Sequence, residues 1–179
     1  MGSEMCIRDS PEGVYTAMVS NGTGIDGTAL VEVYDMDEVN EVETDMELVN
    51  MSLRGEVASG ANVIIGGFVV QGDSPKRLLI RAMGSELSNY GVENTLSDPQ
   101  LTLYRSINDT FETIAFNDSW SDDAELLQEA SLTTGAFEFD EGSTSSAQVI
   151  WLEPGVYTAM ASSGDGTSGV ALIEVYQLP

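Results

Sequence analysis

Seven consecutive residues, Asn117-Asp118-Ser119-Trp120-Ser121-Asp122-Asp123, gather three carboxylates, an amide and two hydroxyls around one indole. Calcium, a hard cation that prefers oxygen ligands, suits loops of this kind. Asp118, Asp122 and Asp123 are therefore the candidate metal ligands, although the spacing lacks the glycine and terminal glutamate of an EF-hand loop. The competing account is structural: Asp122 and Asp123 complement a helix N-terminus, and Asn117 or Asp118 makes an Asx turn. Trp120 is the candidate sugar-stacking platform, because it lies in the acidic loop and is expected to be the more exposed tryptophan. Trp151, inside Val149-Ile150-Trp151-Leu152, is expected in the core or half-buried.

Other patterns carry less chemistry. Gly22-Thr23-Gly24-Ile25-Asp26-Gly27 and Gly164-Asp165-Gly166-Thr167-Ser168-Gly169 both fit G-x-G-x-x-G. A dinucleotide site needs a helix after that string, and both copies run instead into a strand pattern ending Glu-Val-Tyr, so they read as hairpin loops. With only 6 Lys and Arg against 30 acids, a cation in or beside a strand is expected to be held by a carboxylate. Arg54 and Arg81 are assigned structural ion pairs, with Asp98 and Glu174 as partners. No acid pair stands out as a raised-pKa acid facing a carboxylate, so no catalytic residue is assigned. The chain has no histidine, which excludes Ser-His-Asp and Cys-His catalysis and imidazole-ligated zinc.

The elements that must position these residues follow from patterning. Short β-branched or aromatic runs alternate with Gly, Pro, Asn, Asp and Ser clusters: 63–70, 77–83, 101–105, 113–116, 148–152, 156–162 and 169–176, with 49–53 a weaker eighth. This predicts an all-β fold, an antiparallel, jelly-roll-like β-sandwich. One helix interrupts it, entered near Ser121 and ending before Gly135. The formal charge of −24 repels nucleic acid and anionic membrane surfaces, so neither is an expected partner. The longest apolar or glycine run, Val63 to Val70, falls far short of the roughly 20 residues that span a bilayer, so membrane insertion is not expected.

The chain also repeats itself. Residues 13–34 match residues 155–176 at 15 of 22 positions without a gap, at a constant offset of 142. That period is domain-sized. The expected organisation is the C-terminal hairpin of a preceding repeat at 11–34, an acidic linker at 35–48 and a complete sandwich at 49–179. An isolated hairpin is marginal, so 11–34 should be poorly ordered or borrow a sheet edge. Residues 1–10, which include the single cysteine, Cys6, match nothing downstream and resemble a translated read-through scar.

Several segments carry a resemblance: Leu48-Val49-Asn50-Met51-Ser52-Leu53-Arg54-Gly55, Ile65-Gly66-Gly67-Phe68-Val69-Val70-Gln71-Gly72, Lys76 to Gly84, Asp98 to Tyr104, Asn117-Asp118-Ser119-Trp120, Gly135-Ala136-Phe137 and Pro154 to Ala159. Together they resemble a functionally uncharacterised tandem β-sandwich repeat of large secreted and cell-surface bacterial proteins. Leu101 to Asp118 is more distantly similar to the pre-peptidase C-terminal domain of secreted enzymes. Ser85 stands where the repeat pattern has proline, and the turn from Ile107 to Phe111 is longer and less polar. The resemblance implies an exported accessory module whose signal peptide is lost from this piece, with no catalytic residues to carry over.

Two functions are therefore expected to compete. One is a non-catalytic structural or adhesive module whose partners are neighbouring repeats or domains of the same chain. The other is a carbohydrate-binding module using Trp120, with a glycan as partner and calcium as the one cofactor considered. An exposed aromatic beside a concave face would favour the second, and a packed Trp120 the first.

Overall fold

The structure, a computed structural model, describes residues 13–20, 22, 24, 27–33 and 49–179. The chain divides into two units, Met1–Leu48 and Val49–Pro179. The scar assigned to 1–10 and the linker assigned to 35–48 lie outside the described residues. In the first unit none of the described residues is in a strand, and Val14, Met18, Leu30 and Val33 are exposed.

The second unit is all-β, with eight strands: β1 (Asn50–Val57), β2 (Ile64–Val70), β3 (Lys76–Met83), β4 (Pro99–Ile107), β5 (Thr110–Asn117), β6 (Ser146–Leu152), β7 (Gly155–Ser163) and β8 (Gly169–Gln177). They form two antiparallel four-stranded sheets in the orders β1-β8-β3-β6 and β2-β7-β4-β5. Strand 1 pairs with 8, 2 with 7, 3 with 6 and 4 with 5, as if one long hairpin had been rolled into two sheets, which is the jelly-roll layout. Two further pairings, β3 with β8 and β4 with β7, close the sheets. The consecutive strands β7 and β8 thus supply one inner strand to each sheet and do not pair with each other, so the hairpin expected of them is a crossover between sheets.

Alternation sets the core. Leu78, Ile80 and Ala82 on β3 and Ala171, Ile173 and Val175 on β8 point inward against Leu101, Leu103, Tyr157, Ala159 and Ala161 of the second sheet. Tyr157 keeps its hydroxyl satisfied by donating to the Glu153 carbonyl at 2.7 Å, so its ring can be buried and stack on Phe68.

The helix α1 (Ala124–Thr134) is preceded by a 3-10 turn, Trp120–Asp123. Its entry differs from the expected cap: Ser119, two residues before Ser121, accepts from the Ser121 backbone N–H at 3.3 Å. Gly135, with φ +73°, ends the helix in the left-handed conformation that a residue with a Cβ adopts only at a cost. Leu127, Ala130 and Ser131 are the buried positions of α1. With Phe139 and Trp120, Leu127 and Ala130 join a second core that covers the outer face of the β1-β8-β3-β6 sheet. The outer face of the other sheet has no such cover. No helix among the described residues is long and apolar enough to cross a membrane.

Candidate functional site

The residues with most chemical capacity meet on the covered outer face of the first sheet. Arg81 on β3 lies opposite Glu174 on β8 and Ala147 on β6, and Glu174 lies opposite Ser52 on β1. Arg81 is wholly buried and forms a salt bridge with Glu174 through Nη2. Its Nε donates to Glu174 Oε2 at 3.0 Å, and its Nη1 donates to the Phe137 carbonyl at 2.5 Å and to Ser131 Oγ at 3.4 Å. The other Glu174 oxygen accepts from Tyr176 Oη at 2.7 Å and Ser52 Oγ at 3.3 Å. Burial, and then the bond to Glu174, push the Tyr176 phenol well above its ordinary value. The rings of Phe137 and Phe139 lie 4.4 and 5.2 Å from the guanidinium carbon, so the cation has aromatic faces where it lacks hydrogen-bond acceptors.

A second network adjoins the first. Glu86, wholly buried in the 3-10 turn Ser85–Tyr90, accepts from Ser143 Oγ at 2.5 Å and Ser145 Oγ at 2.6 Å. Ser145 Oγ in turn accepts from the Gly84 N–H at 3.1 Å. Ser143 accepts from Trp120 Nε1, at 3.1 Å on Oγ and 3.2 Å on the carbonyl. The Trp120 ring stacks on Phe139 at 4.7 Å. Among the described residues no buried side-chain nitrogen or oxygen lacks a partner. The buried polar groups of these two networks are thus committed to each other.

Several sequence-based expectations change. Trp120 is not exposed but 6% accessible, because the loop after β5 turns back over the sheet and lays the indole on Phe139. Trp151 is not core but 65% exposed, because its side chain points outward from β6, an edge strand, opposite Arg77. Asp118, Asp122 and Asp123 are all exposed and do not converge: Asp122 and Asp123 stand in the turn that opens the helix, while Asp118 ends up beside Asp98. Among the described residues no three metal-ligating side chains are grouped. A shallow acidic depression runs along the helix start, lined by Asp122, Asp123, Glu125 and Glu129.

Arg54 is exposed on the outer side of the edge strand β1 and forms no salt bridge with any of the described residues. Asp98 pairs with neither arginine. It lies at the start of β4 near Asp165 and Asp118, and partial burial followed by those two charges raises its carboxyl above the usual range. Asp165 is held low, first by the Thr167 hydroxyl and N–H, then by Ser97. That is turn chemistry inside the second G-x-G-x-x-G string, which is a loop between strands as expected but not a hairpin: it crosses from one sheet to the other, joining β7 to β8 without the two strands pairing. Phe139, Glu86, Ser143 and Ser145 were not singled out by sequence, and Phe137 entered only through the Gly135-Ala136-Phe137 segment of the resemblance. The alternation Phe137-Glu138-Phe139 held a faint signal, whereas Glu86 is one acid among 30.

No family model matches the chain, and no curated protein matches it. Seven solved chains do. One is the pre-peptidase C-terminal domain of a collagenase from Bacillus anthracis, 14% identical, with a TM-score of 0.42 over 71% of this chain and 89% of that one.

Proposed function

We propose that this chain is a non-catalytic presentation module of a secreted or surface-anchored tandem-repeat protein. The observation that carries this reading is the placement of the sandwich's two ends. Asn50 lies opposite Tyr176, and the Gln177 N–H donates to the Val49 carbonyl at 3.0 Å, so the chain enters and leaves side by side. A module built this way adds little length to the protein that carries it. It hangs from the chain as a pendant and presents its surface laterally, in place of acting as an in-line spacer. The buried ionisable groups support the non-catalytic half of the reading, because Arg81, Glu174 and Glu86 are each spent on packing contacts.

The full chain, immobilised over a glycan array with EDTA and then with millimolar calcium, tests this. The expected result is no retained glycan and an unchanged melting temperature, since a ligand bound only by the folded form would raise it. A glycan whose retention is lost in Trp151→Ala would replace presentation with carbohydrate binding.

A further inference from the structure

The edge strand β6 is finished along only its first half. The Ala147 N–H donates to Asn117 Oδ1 at 3.0 Å, and the Ser145 carbonyl accepts from the Trp120 N–H at 2.8 Å, so both groups point away from β3. The two-residue period of a strand then turns the N–H and C=O of Val149 and Trp151 to the same side. Arg77, opposite Trp151, fixes the same parity independently, because its carbonyl accepts from the Leu178 N–H at 2.8 Å and so points away from β6. The loop after β5 thus caps the edge at Ser145 and Ala147. Beyond it, the four outward groups of Val149 and Trp151 bond none of the described residues.

The open half also has unusual neighbours. β6 carries no charged residue and no proline, the usual means by which an edge is kept from pairing. Trp151 is 65% exposed and stands beside Arg77 in a non-hydrogen-bonded cross-strand pair, the closer kind. Lys76 lies opposite Leu152, and Arg105 donates to the Pro154 carbonyl at 3.2 Å. Three of the five Lys and Arg in residues 49–179 therefore surround the turn from β6 to β7. None of the three forms a salt bridge with any of the described residues, although Glu153 stands in that turn and Glu112 lies opposite Arg105.

We propose that the open half of β6 is a docking edge that takes an extended acidic segment of a partner protein as an added strand. Backbone donors and acceptors in strand register are satisfied together by a second strand. The cations select its charge. The added strand lies two strand spacings from β3, about 10 Å, and the side chains of Lys76 and Arg77 shorten that to within the Debye length at physiological salt, about 8 Å. The Trp151 indole offers an apolar face to one of its side chains. Four backbone bonds and one ring make a weak site, on the order of 100 µM for a short peptide. The proposal goes beyond the presentation reading and does not require it.

Amide hydrogen exchange and tryptophan fluorescence of the full chain test it, with the synthetic peptide acetyl-Thr-Glu-Val-Glu-Val-Glu-Thr-amide added up to about 1 mM. Expected are at least tenfold slower exchange of the Val149 and Trp151 amides and a change in emission that Trp151→Phe removes. Affinity should fall severalfold between about 50 and 500 mM NaCl, and the same peptide with lysine for glutamate should bind at least tenfold more weakly. Val149→Pro should abolish the protection at Trp151 with the melting curve unchanged, because the N–H it removes points away from β3. If that variant melts early, Lys76→Gln with Arg77→Gln replaces it, and the preference for the acidic peptide should vanish. No protection at the highest peptide concentration overturns the proposal, as does protection that survives a folded Val149→Pro or that the lysine peptide gives equally. A polyuronate that changes Trp151 emission where the peptide does not overturns it in favour of a glycan.

Discussion

Arg81 is the residue on which most of the covered face converges. A buried ion pair broken on one side leaves an uncompensated charge, which costs about 3–5 kcal/mol, whereas replacing both partners by apolar residues of similar volume costs far less. Arg81→Met should therefore lower stability by about 3–5 kcal/mol in urea denaturation, and Arg81→Met with Glu174→Leu should recover most of that loss. Equal losses in the single and double variants would mean that Phe137 and Ser131 hold the arginine and that Glu174 does not. Asp98 makes a prediction of the opposite sense. Its carboxyl is raised, so it favours folding when protonated, and that contribution is lost as pH rises through the raised value. Asp98→Asn should stabilise the protein at pH 7 by a few tenths of a kcal/mol, about the scale of an exposed charge, with the gain vanishing toward pH 3. Asp165 is lowered, so its contribution is present above the ordinary carboxylate range and fades only as pH falls through the lowered value.

At the scale of elements, the close approach of backbone to backbone decides more than propensity does. Leu96 sits wholly buried between the end of β3 and the start of β8, with its N–H donating to the Val170 carbonyl at 2.8 Å. A Cβ on Gly84 would stand 2.2 Å from the Leu96 carbonyl oxygen, and one on Gly169 would stand 2.6 Å from the Leu96 nitrogen. Neither neighbour is a side chain that can swing aside. Gly84→Ala should therefore cost about 3 kcal/mol or more, measured as a shift in urea midpoint, although alanine is ordinarily the mildest of substitutions. Ser119→Ala should cost about 1 kcal/mol through the lost cap on the turn that opens the helix. A smaller loss in Ser121→Ala would confirm that the cap lies two residues earlier than the sequence suggests.

For the whole molecule, the rolled topology ties the first strand to the last. Asn50 pairs with Tyr176, and Ile64 with Ala161, so few contacts are local and the loop-closure entropy is lost before these pairs form. Stopped-flow refolding should be slow for a chain this size, in the range of about milliseconds to seconds. The same adjacency of ends sets the mechanical response. Force applied through Val49 and Gln177 loads the β1–β8 hydrogen bonds one after another, so single-molecule pulling should peel β1 first and at low force. Cooperative rupture at high force would indicate a load-bearing spacer and would argue against a pendant module.

How much of this was legible beforehand depends on the range of the interaction. Strand alternation, the helix stop at Gly135 and the reading of Gly164 to Gly169 as a loop between two strands are local properties of backbone and side-chain period, and the sequence determined them without help; that this loop crosses between the sheets and closes no hairpin was decided by strand pairing. The fates of Trp120 and Trp151 were not local. Both sit among residues that read ambiguously, and only the fold places one beneath the Phe137–Phe139 segment and the other on an edge strand. Arg81 and Arg54 likewise both stand in strands of an acidic chain. Tertiary structure alone gave one of them Glu174 and an aromatic cover and left the other in water, because an ion pair and a ring stack depend on which distant segments meet, and strand pairing over the length of the domain decides that.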